Sequence, residues 1–324
     1  MASERARVLV IRGGAIGDFI LTLPVLAALR ERFPNVHLEV LGYPHIAGLA
    51  LAGGLVHGVR PIEARGLAGF FVPGGDLDPD LMAYFGGFAL IISYLYDPDW
   101  FLRTNIARCG KAQFIAGPHR PPEGTGRHAT ASLLEPLERL TIFDADPVPR
   151  LRFEGGESGS QPAAGGEASG AAANAPWLAA HPGSGSEKKN WSEENWASLL
   201  AGLAQETDWN LLLVGGEAEG GRLERLARGW PESRLELERS RPLVDLARRL
   251  QRCSWFIGHD SGITHLAAAL GRPALVLWGG TDQATWRPLG DSVRLLEAQA
   301  GLPSLPVEQV HRALLGLAAT YKHA

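Results

Sequence analysis

Short apolar runs bounded by glycine-rich or polar turns alternate along this chain with longer stretches of helical period. Residues 7–11 are a tight aliphatic and β-branched run, the pattern of a strand buried on both faces of a parallel sheet. Further strands are predicted at 36–42, 57–62, 88–94 and 113–116, with helices at 19–30, 44–54, 100–109 and 130–141. Pro24 falls inside the first helical pattern, so that helix is expected to kink or restart there. Residues 63–80 lack a period and read as irregular. From residue 177 the alternation begins again. Strands are predicted at 177–181, 209–214, 234–237, 255–258 and 274–278, and helices at 193–205, 217–229, 242–252, 261–270 and 307–317. Strands alternating with helices imply parallel sheets with right-handed crossovers. Residues 154–176, rich in Gly, Ala, Ser and Glu and without periodicity, read as a flexible linker. The expectation is an α/β chain of two doubly wound domains, 1–153 and 177–324, facing a cleft.

Composition narrows the classes of function. At 324 residues, 45% hydrophobic and 20% charged, the chain has the make-up of a globular protein of two ordinary domains. A net charge of −4 argues against a general nucleic-acid binder. The two cysteines, Cys109 and Cys253, have no metal-ligand spacing and fit a reducing compartment. The first residues run directly into a strand with no signal-peptide pattern, so a cytoplasmic location is expected. The apolar stretch Leu81–Tyr96 is shorter than the ~20 residues of a membrane helix and is broken by Gly86-Gly87. Peripheral contact with the inner face of a membrane stays open.

Candidate chemistry lies where strands give way to helices. After residues 255–258 comes His259-Asp260-Ser261-Gly262-Ile263-Thr264-His265. Asp and Ser are preferred helix caps, and the free N–H groups of a helix N-terminus make an anion seat that suits a diphosphate. A capped helix and nothing more is the competing reading. After 177–181 comes a Gly/Ser loop with Ser184, Gly185, Ser186 and the pair Lys188-Lys189. The chain has 31 basic residues but only four lysines, and two of them are adjacent here, a compact charge suited to phosphate.

Near the N-terminus, Gly13, Gly14 and Gly17 make a turn that permits close backbone approach. Their spacing does not match the dinucleotide Gly-x-Gly-x-x-Gly. Asp18 reads either as the N-cap of the following helix or as a general base at a strand's carboxyl end. Asp-Pro-Asp at 78–80 and at 97–99 favours a turn over a metal site. The loop with His119, Arg120, Arg127 and His128 is either a solvated surface or a contact for an anionic acceptor.

Three segments together resemble the heptosyltransferase family, glycosyltransferase family 9. They are Gly17-Asp18-x-x-Leu21-Thr22-Leu23-Pro24, His181-Pro182-Gly183 through Lys189-Asn190-Trp191, and Asp260 through Ala269. Gly279-x-Thr281-Asp282 fits the family's next loop, a possible further donor contact. The chain departs from the family pattern at Ser184-Gly185-Ser186 and at Trp278-Gly279-Gly280.

The resemblance implies a GT-B fold and an inverting, metal-independent transfer of a sugar, heptose from ADP-heptose above all. The acceptor would be a glycan or lipopolysaccharide-core hydroxyl. No cofactor is implied, the nucleotide-sugar being a substrate. Asp18 would be the base and Lys189 would hold the diphosphate. Ser184, Gly185, Ser186, Asp260, Ser261, Gly262, Thr264 and His265 would line the donor site, and the last helix would cross back to the first domain. The alternative is a non-catalytic or epimerase-like protein of the same fold.

Overall fold

In the computed structural model, which describes residues 5–153, 175–216, 221–298 and 301–321, every strand pairing is parallel. The chain divides into two units, Met1–Pro149 and Arg150–Ala324. Most of the expected linker, residues 154–174, lies outside the described residues.

The first unit is built on strands β1 (Arg7–Arg12), β2 (His37–Gly42), β3 (Gly58–Pro61), β4 (Leu90–Ser93) and β5 (Gln113–Ala116). Their order in the sheet is β3-β2-β1-β4-β5. Leu9, Val10 and Ile11 are fully buried because β1 is central and covered on both faces. After β1 the chain forms α1 (Ile16–Ile20), then α2 (Leu23–Arg32) with Pro24 in its first turn. A single helix over 19–30 is thus replaced by two, and the restart falls where proline places it. Helix α3 spans Pro44–Ala52.

The stretch read as irregular contains a 3₁₀ segment, Arg65–Phe71, and is followed by α4, Pro79–Gly86. Asp78 Oδ1 accepts the backbone N–H groups of Asp80 and Leu81 and so caps α4. Asp97 does similar work at α5 (Phe101–Ala107), accepting from Leu102 and Arg103. Both Asp-Pro-Asp motifs therefore start helices, and among the described residues no group of three or more His, Cys, Asp or Glu side chains is placed to hold a metal ion. Helix α6 (Ala129–Leu134) closes the unit. Leu81–Tyr96 resolves into part of α4 and the buried strand β4. No helix among the described residues is long and apolar enough to cross a membrane.

The second unit carries β6 (Trp177–His181), β7 (Asn210–Gly215), β8 (Leu235–Arg239), β9 (Trp255–His259), β10 (Ala274–Trp278) and β11 (Val293–Glu297) in the order β11-β10-β9-β6-β7-β8. Its helices are α7 (Glu193–Glu206), α8 (Arg222–Ala227), α9 (Leu243–Arg252), α10 (Gly262–Ala269), the single turn α11 (Gln283–Trp286) and α12 (Val307–Thr320). Helix α12 packs on α7, β10 and β11 of its own unit through Val310, Leu314 and Leu317. Residues 151 and 153, expected in the first domain, bond to the second: Leu151 N–H donates to Ala269 O and Phe153 N–H to Gln251 Oε1.

In both sheets the strand order reverses beside the first strand of the unit, between β1 and β4 and between β6 and β9. Such a switch point parts the loops that leave the strands' carboxyl ends, which is where open α/β sheets hold ligands. In the second unit His259, the last residue of β9, keeps the neighbouring loop in place. Its ring is fully buried. Nε2 accepts the Trp191 backbone N–H at 2.9 Å and the Trp196 indole N–H at 3.4 Å. Nδ1 therefore carries the proton and donates to Gly183 O, at 3.4 Å. One neutral imidazole thus ties both ends of the loop between β6 and α7 to the end of β9.

Burial pushes His259 down to about 3, the Gly183 carbonyl opposing only in part. In the unfolded chain the imidazole titrates near 6.5. Between those values the unfolded state binds the extra proton, so stability is complete above about pH 6.5 and falls as pH drops toward 3. The loss expected from this group alone at pH 5 is about 2 kcal/mol. Urea unfolding of the wild type and of His259→Asn from pH 8 to 5 checks it. The wild type should lose about that much more than the variant, whereas parallel profiles would mean that the ring is not held neutral.

Candidate functional site

The loop released by β6 runs from Pro182 to Trp191 and contains a 3₁₀ turn, Glu187–Lys189. Trp191 and Trp196 are buried and pack edge to face, with Trp196 in turn edge-on to His259. The Trp191 indole donates to Leu305 O at 3.0 Å, and Ser192 caps α7. With its C-terminal end anchored, the loop presents Lys189 at the end of the sheet. Lys189 Nζ lies 2.7 Å from Asp260 Oδ2, and the Thr281 hydroxyl donates to the same oxygen at 2.8 Å. Asp260 is largely buried and Lys189 is partly exposed. Thr281 is set by Trp278, whose indole donates to its carbonyl at 2.9 Å. The tryptophan that departs from the family pattern thus supplies a hydrogen bond to the site.

Next to this cluster α10 begins. Its cap is Ser261, whose Oγ accepts the Thr264 N–H at 3.3 Å and lies 3.1 Å from the Thr264 hydroxyl. Asp260 is not the cap. The same Oγ is 3.3 Å from His181 Nδ1 at the end of β6, and the Thr264 hydroxyl donates to His259 O. Two neighbouring parallel strands, β6 and β9, and the helix that follows β9 are therefore laced together at their polar ends. The amides of Gly262 and Ile263, in the first turn, have no carbonyl one turn earlier to bond, as at any helix start. Lys189 pairs with Asp260, two residues before Gly262, so a cation and a helix start share this end of the sheet, an arrangement that receives anionic oxygens.

The remaining expected donor contacts divide. Ser184 closes its own turn, donating to Ser186 O at 2.8 Å and accepting the Ser186 N–H at 3.2 Å. Gly185 has open space where a Cβ would stand. Asp282 caps α11, accepting from Ala284 N–H and from the Thr285 hydroxyl. His265 is buried within α10.

In the first unit Asp18 is the third residue of α1, not its N-cap, which is Ala15. Its Oδ2 accepts the Ala15 N–H at 2.9 Å, reaching back across the first turn. Gly14 makes room for this: its φ is +98°, and a Cβ there would stand 2.7 Å from Asp18 Oδ2. Gly13 opens the same turn, where a Cβ would stand 3.4 Å from the Leu95 side chain, and Gly17 lies within α1. Asp18 Oδ1 is 3.5 Å from the guanidinium of Arg12, the buried last residue of β1. Arg12 also donates to Asp18 O at 3.3 Å and to His119 O at 3.0 Å. Burial lowers the Arg12 pKa and Asp18 opposes the shift. With its carboxylate half in solvent, Asp18 has one oxygen spent on the helix and the other beside a fixed cation.

The basic loop is mostly paired with itself. Arg120 bonds Glu123, Arg127 bonds Glu135, and His128 caps α6 through its ring. The sequence assigned no role to Arg12, and it held His181 and His259 only as members of longer motifs, without the anchoring roles they have here. The available signal was shared by all three: a polar residue closing an otherwise apolar strand.

Residues 148–310, half of the chain, match the family model described as glycosyltransferase family 9 (heptosyltransferase). A putative glycosyltransferase from Haemophilus influenzae is 26% identical over 304 residues, which span 88% of this chain and 86% of that protein. Among solved structures, the Escherichia coli ADP-heptose lipopolysaccharide heptosyltransferase II superposes with a TM-score of 0.76 at 15% identity, covering 98% of this chain and 99% of that one. The Escherichia coli heptosyltransferase WaaC with ADP superposes with a TM-score of 0.72 at 18% identity, covering 96% and 100%. Likeness at that identity establishes the fold, which is of the GT-B type. The chain belongs to glycosyltransferase family 9, the heptosyltransferases, and is a glycosyltransferase.

Proposed function

We propose that this enzyme moves a heptose from ADP-heptose to a hydroxyl of the lipopolysaccharide core, with inversion at the anomeric carbon and without a metal ion. The observation that carries the reading is the convergence of Lys189, Asp260 and Thr281 with the start of α10. A single ammonium and a set of free amides suit a diphosphate, and the carboxylate and hydroxyl suit sugar or ribose hydroxyls. The similar proteins named with ADP and ADP-heptose support the choice of nucleotide and sugar.

In the proposed reaction the acceptor oxygen forms a bond to the anomeric carbon as the bond from that carbon to the diphosphate oxygen breaks. The acceptor's proton passes to Asp18, and the electron pair of the broken bond leaves with ADP. The sugar acquires oxocarbenium character on the way. Lys189 and the α10 amides stabilise the charge that grows on the leaving diphosphate, where fixed donors act most strongly.

Wild-type protein titrated with ADP should gain thermal stability by mass action, and the absence of any shift with ADP or an ADP-sugar would overturn the donor assignment. Asp18→Asn should retain ADP affinity while transfer falls by roughly 10²–10⁴-fold, the usual weight of a general base. Near-normal turnover in that variant would remove Asp18 from the chemistry. Lys189→Ala should weaken ADP binding by about 10- to 100-fold, the range of a charge-assisted hydrogen bond. Calorimetry showing unchanged affinity would take Lys189 out of the phosphate site.

A further inference from the structure

The first unit holds a concavity of about 200 Å³ at the carboxyl ends of β4 and β5, lined in part by Ser93, Tyr96, Asp97, Trp100, Phe114 and His119. Tyr96 is 68% exposed and Trp100 45%, so two of the largest apolar side chains are spent on a surface hollow and not on the core. Both are held in place. The Tyr96 and His119 rings meet edge to face at 4.7 Å, and the Arg103 guanidinium lies 4.8 Å from the centre of the Trp100 ring. Trp100 is also in the left-handed region, φ 60°, where a bulky residue is strained. Glycine would be the unstrained choice at this position.

We propose that this hollow seats one sugar ring of the acceptor glycan, stacked on Tyr96 and Trp100. The assignment rests on the reading of the chain as a transferase to a glycan, and it deepens that reading. A pyranose has a face of C–H groups and a rim of hydroxyls. It therefore matches aromatic faces bordered by hydrogen-bonding groups. The rim here is the Asp97 carboxylate, the Ser93 hydroxyl, which accepts the Leu95 N–H, and the His119 imidazole. No lysine or arginine lines the hollow, and its charged member is a carboxylate, so a phosphate group is disfavoured. The volume is below the roughly 300–1,000 Å³ of drug-sized sites, which suits a single ring.

The hollow is linked to the proposed base through Arg12. One Arg12 guanidinium donates to the His119 carbonyl and lies against the Asp18 carboxylate. On the same proposal, the reacting hydroxyl is carried by the seated sugar or by the residue linked to it.

The test uses the full chain and an inner-core lipopolysaccharide oligosaccharide freed of its acyl chains. Saturation-transfer NMR and calorimetry compare the wild type with Tyr96→Ala and Trp100→Gly. Trp100→Gly relieves the left-handed backbone, so its thermal midpoint should not fall. Each variant should bind the oligosaccharide about tenfold more weakly, the loss of one aromatic face. ADP affinity should stay at the wild-type value. Oligosaccharide binding unchanged in both variants would overturn the proposal, as would a wild type that binds ADP but not the oligosaccharide. A wild type that binds neither ADP nor an ADP-sugar would instead strike at the donor assignment. Co-sedimentation with phosphatidylglycerol–phosphatidylethanolamine vesicles forms the second arm. If the substitutions abolish vesicle binding and spare the oligosaccharide, the aromatics are a membrane contact and the sugar seat is wrong.

Discussion

A buried imidazole that stays neutral governs the geometry of the second unit. Placing a polar ring in the interior costs about 1–3 kcal/mol for each group left without a partner. His259 avoids that cost because both nitrogens are engaged: one accepts from the backbone and indole of two tryptophans, and the other donates to Gly183. The solution is directional. A methyl-bearing side chain of similar size would fill the space but would leave the Trp191 amide unsatisfied and free the loop that carries Lys189. The imidazole thus couples the loop after β6 to the end of β9. These are the two strands between which the sheet changes direction.

The first unit uses a charged version of the same device. Arg12 closes β1 as His259 closes β9, is buried, and bonds outward to the His119 carbonyl and to Asp18. Burying a guanidinium is tolerable only with acceptors and a counter-charge close by, and Asp18 supplies both a carbonyl and a carboxylate. The bodies of these strands are apolar and serve the core. Their last residues are polar and hold the loops in which the candidate chemistry lies. Packing and function are thereby divided along the length of one strand, with little conflict between them.

This division also explains what could be read from the sequence. Centrally placed strands such as 7–11 and 255–258 were legible because burial on both faces forces an unbroken aliphatic run. Strand β11 went unread: at the sheet edge Val293–Glu297 is only half buried and mixes Arg and Glu with Leu, so its pattern is faint. Helix α4 was lost within the longer apolar stretch that continues into β4, since periodicity alone does not separate adjoining apolar segments. Asp18 was expected as either cap or base. The cap position belongs to Ala15, and the carboxylate stabilises the turn from the third helical position instead. Lys189 and Asp260 were legible as residues worth singling out, but their direct pairing was not, because 71 residues separate them and only the sheet order brings them together. Arg12, His181 and His259 close their strands, and the pattern of the chain marks their place but not their role, because the partners of each lie far away in sequence.

The Lys189–Asp260 pair bears on how a donor would be received. With its ammonium already 2.7 Å from a largely buried carboxylate, Lys189 is held in place rather than ranging through solvent. Ordering a long side chain in advance removes part of the entropy that binding would otherwise cost. A diphosphate that draws the ammonium toward itself need not strand Asp260, because Thr281 donates to the same oxygen from its other side. The Trp278 indole, bonded to the Thr281 carbonyl, helps hold Thr281 in that position. On the proposed reading, then, the threonine and the tryptophan behind it are what allow one lysine to be both pre-positioned by a carboxylate and free to move to phosphate.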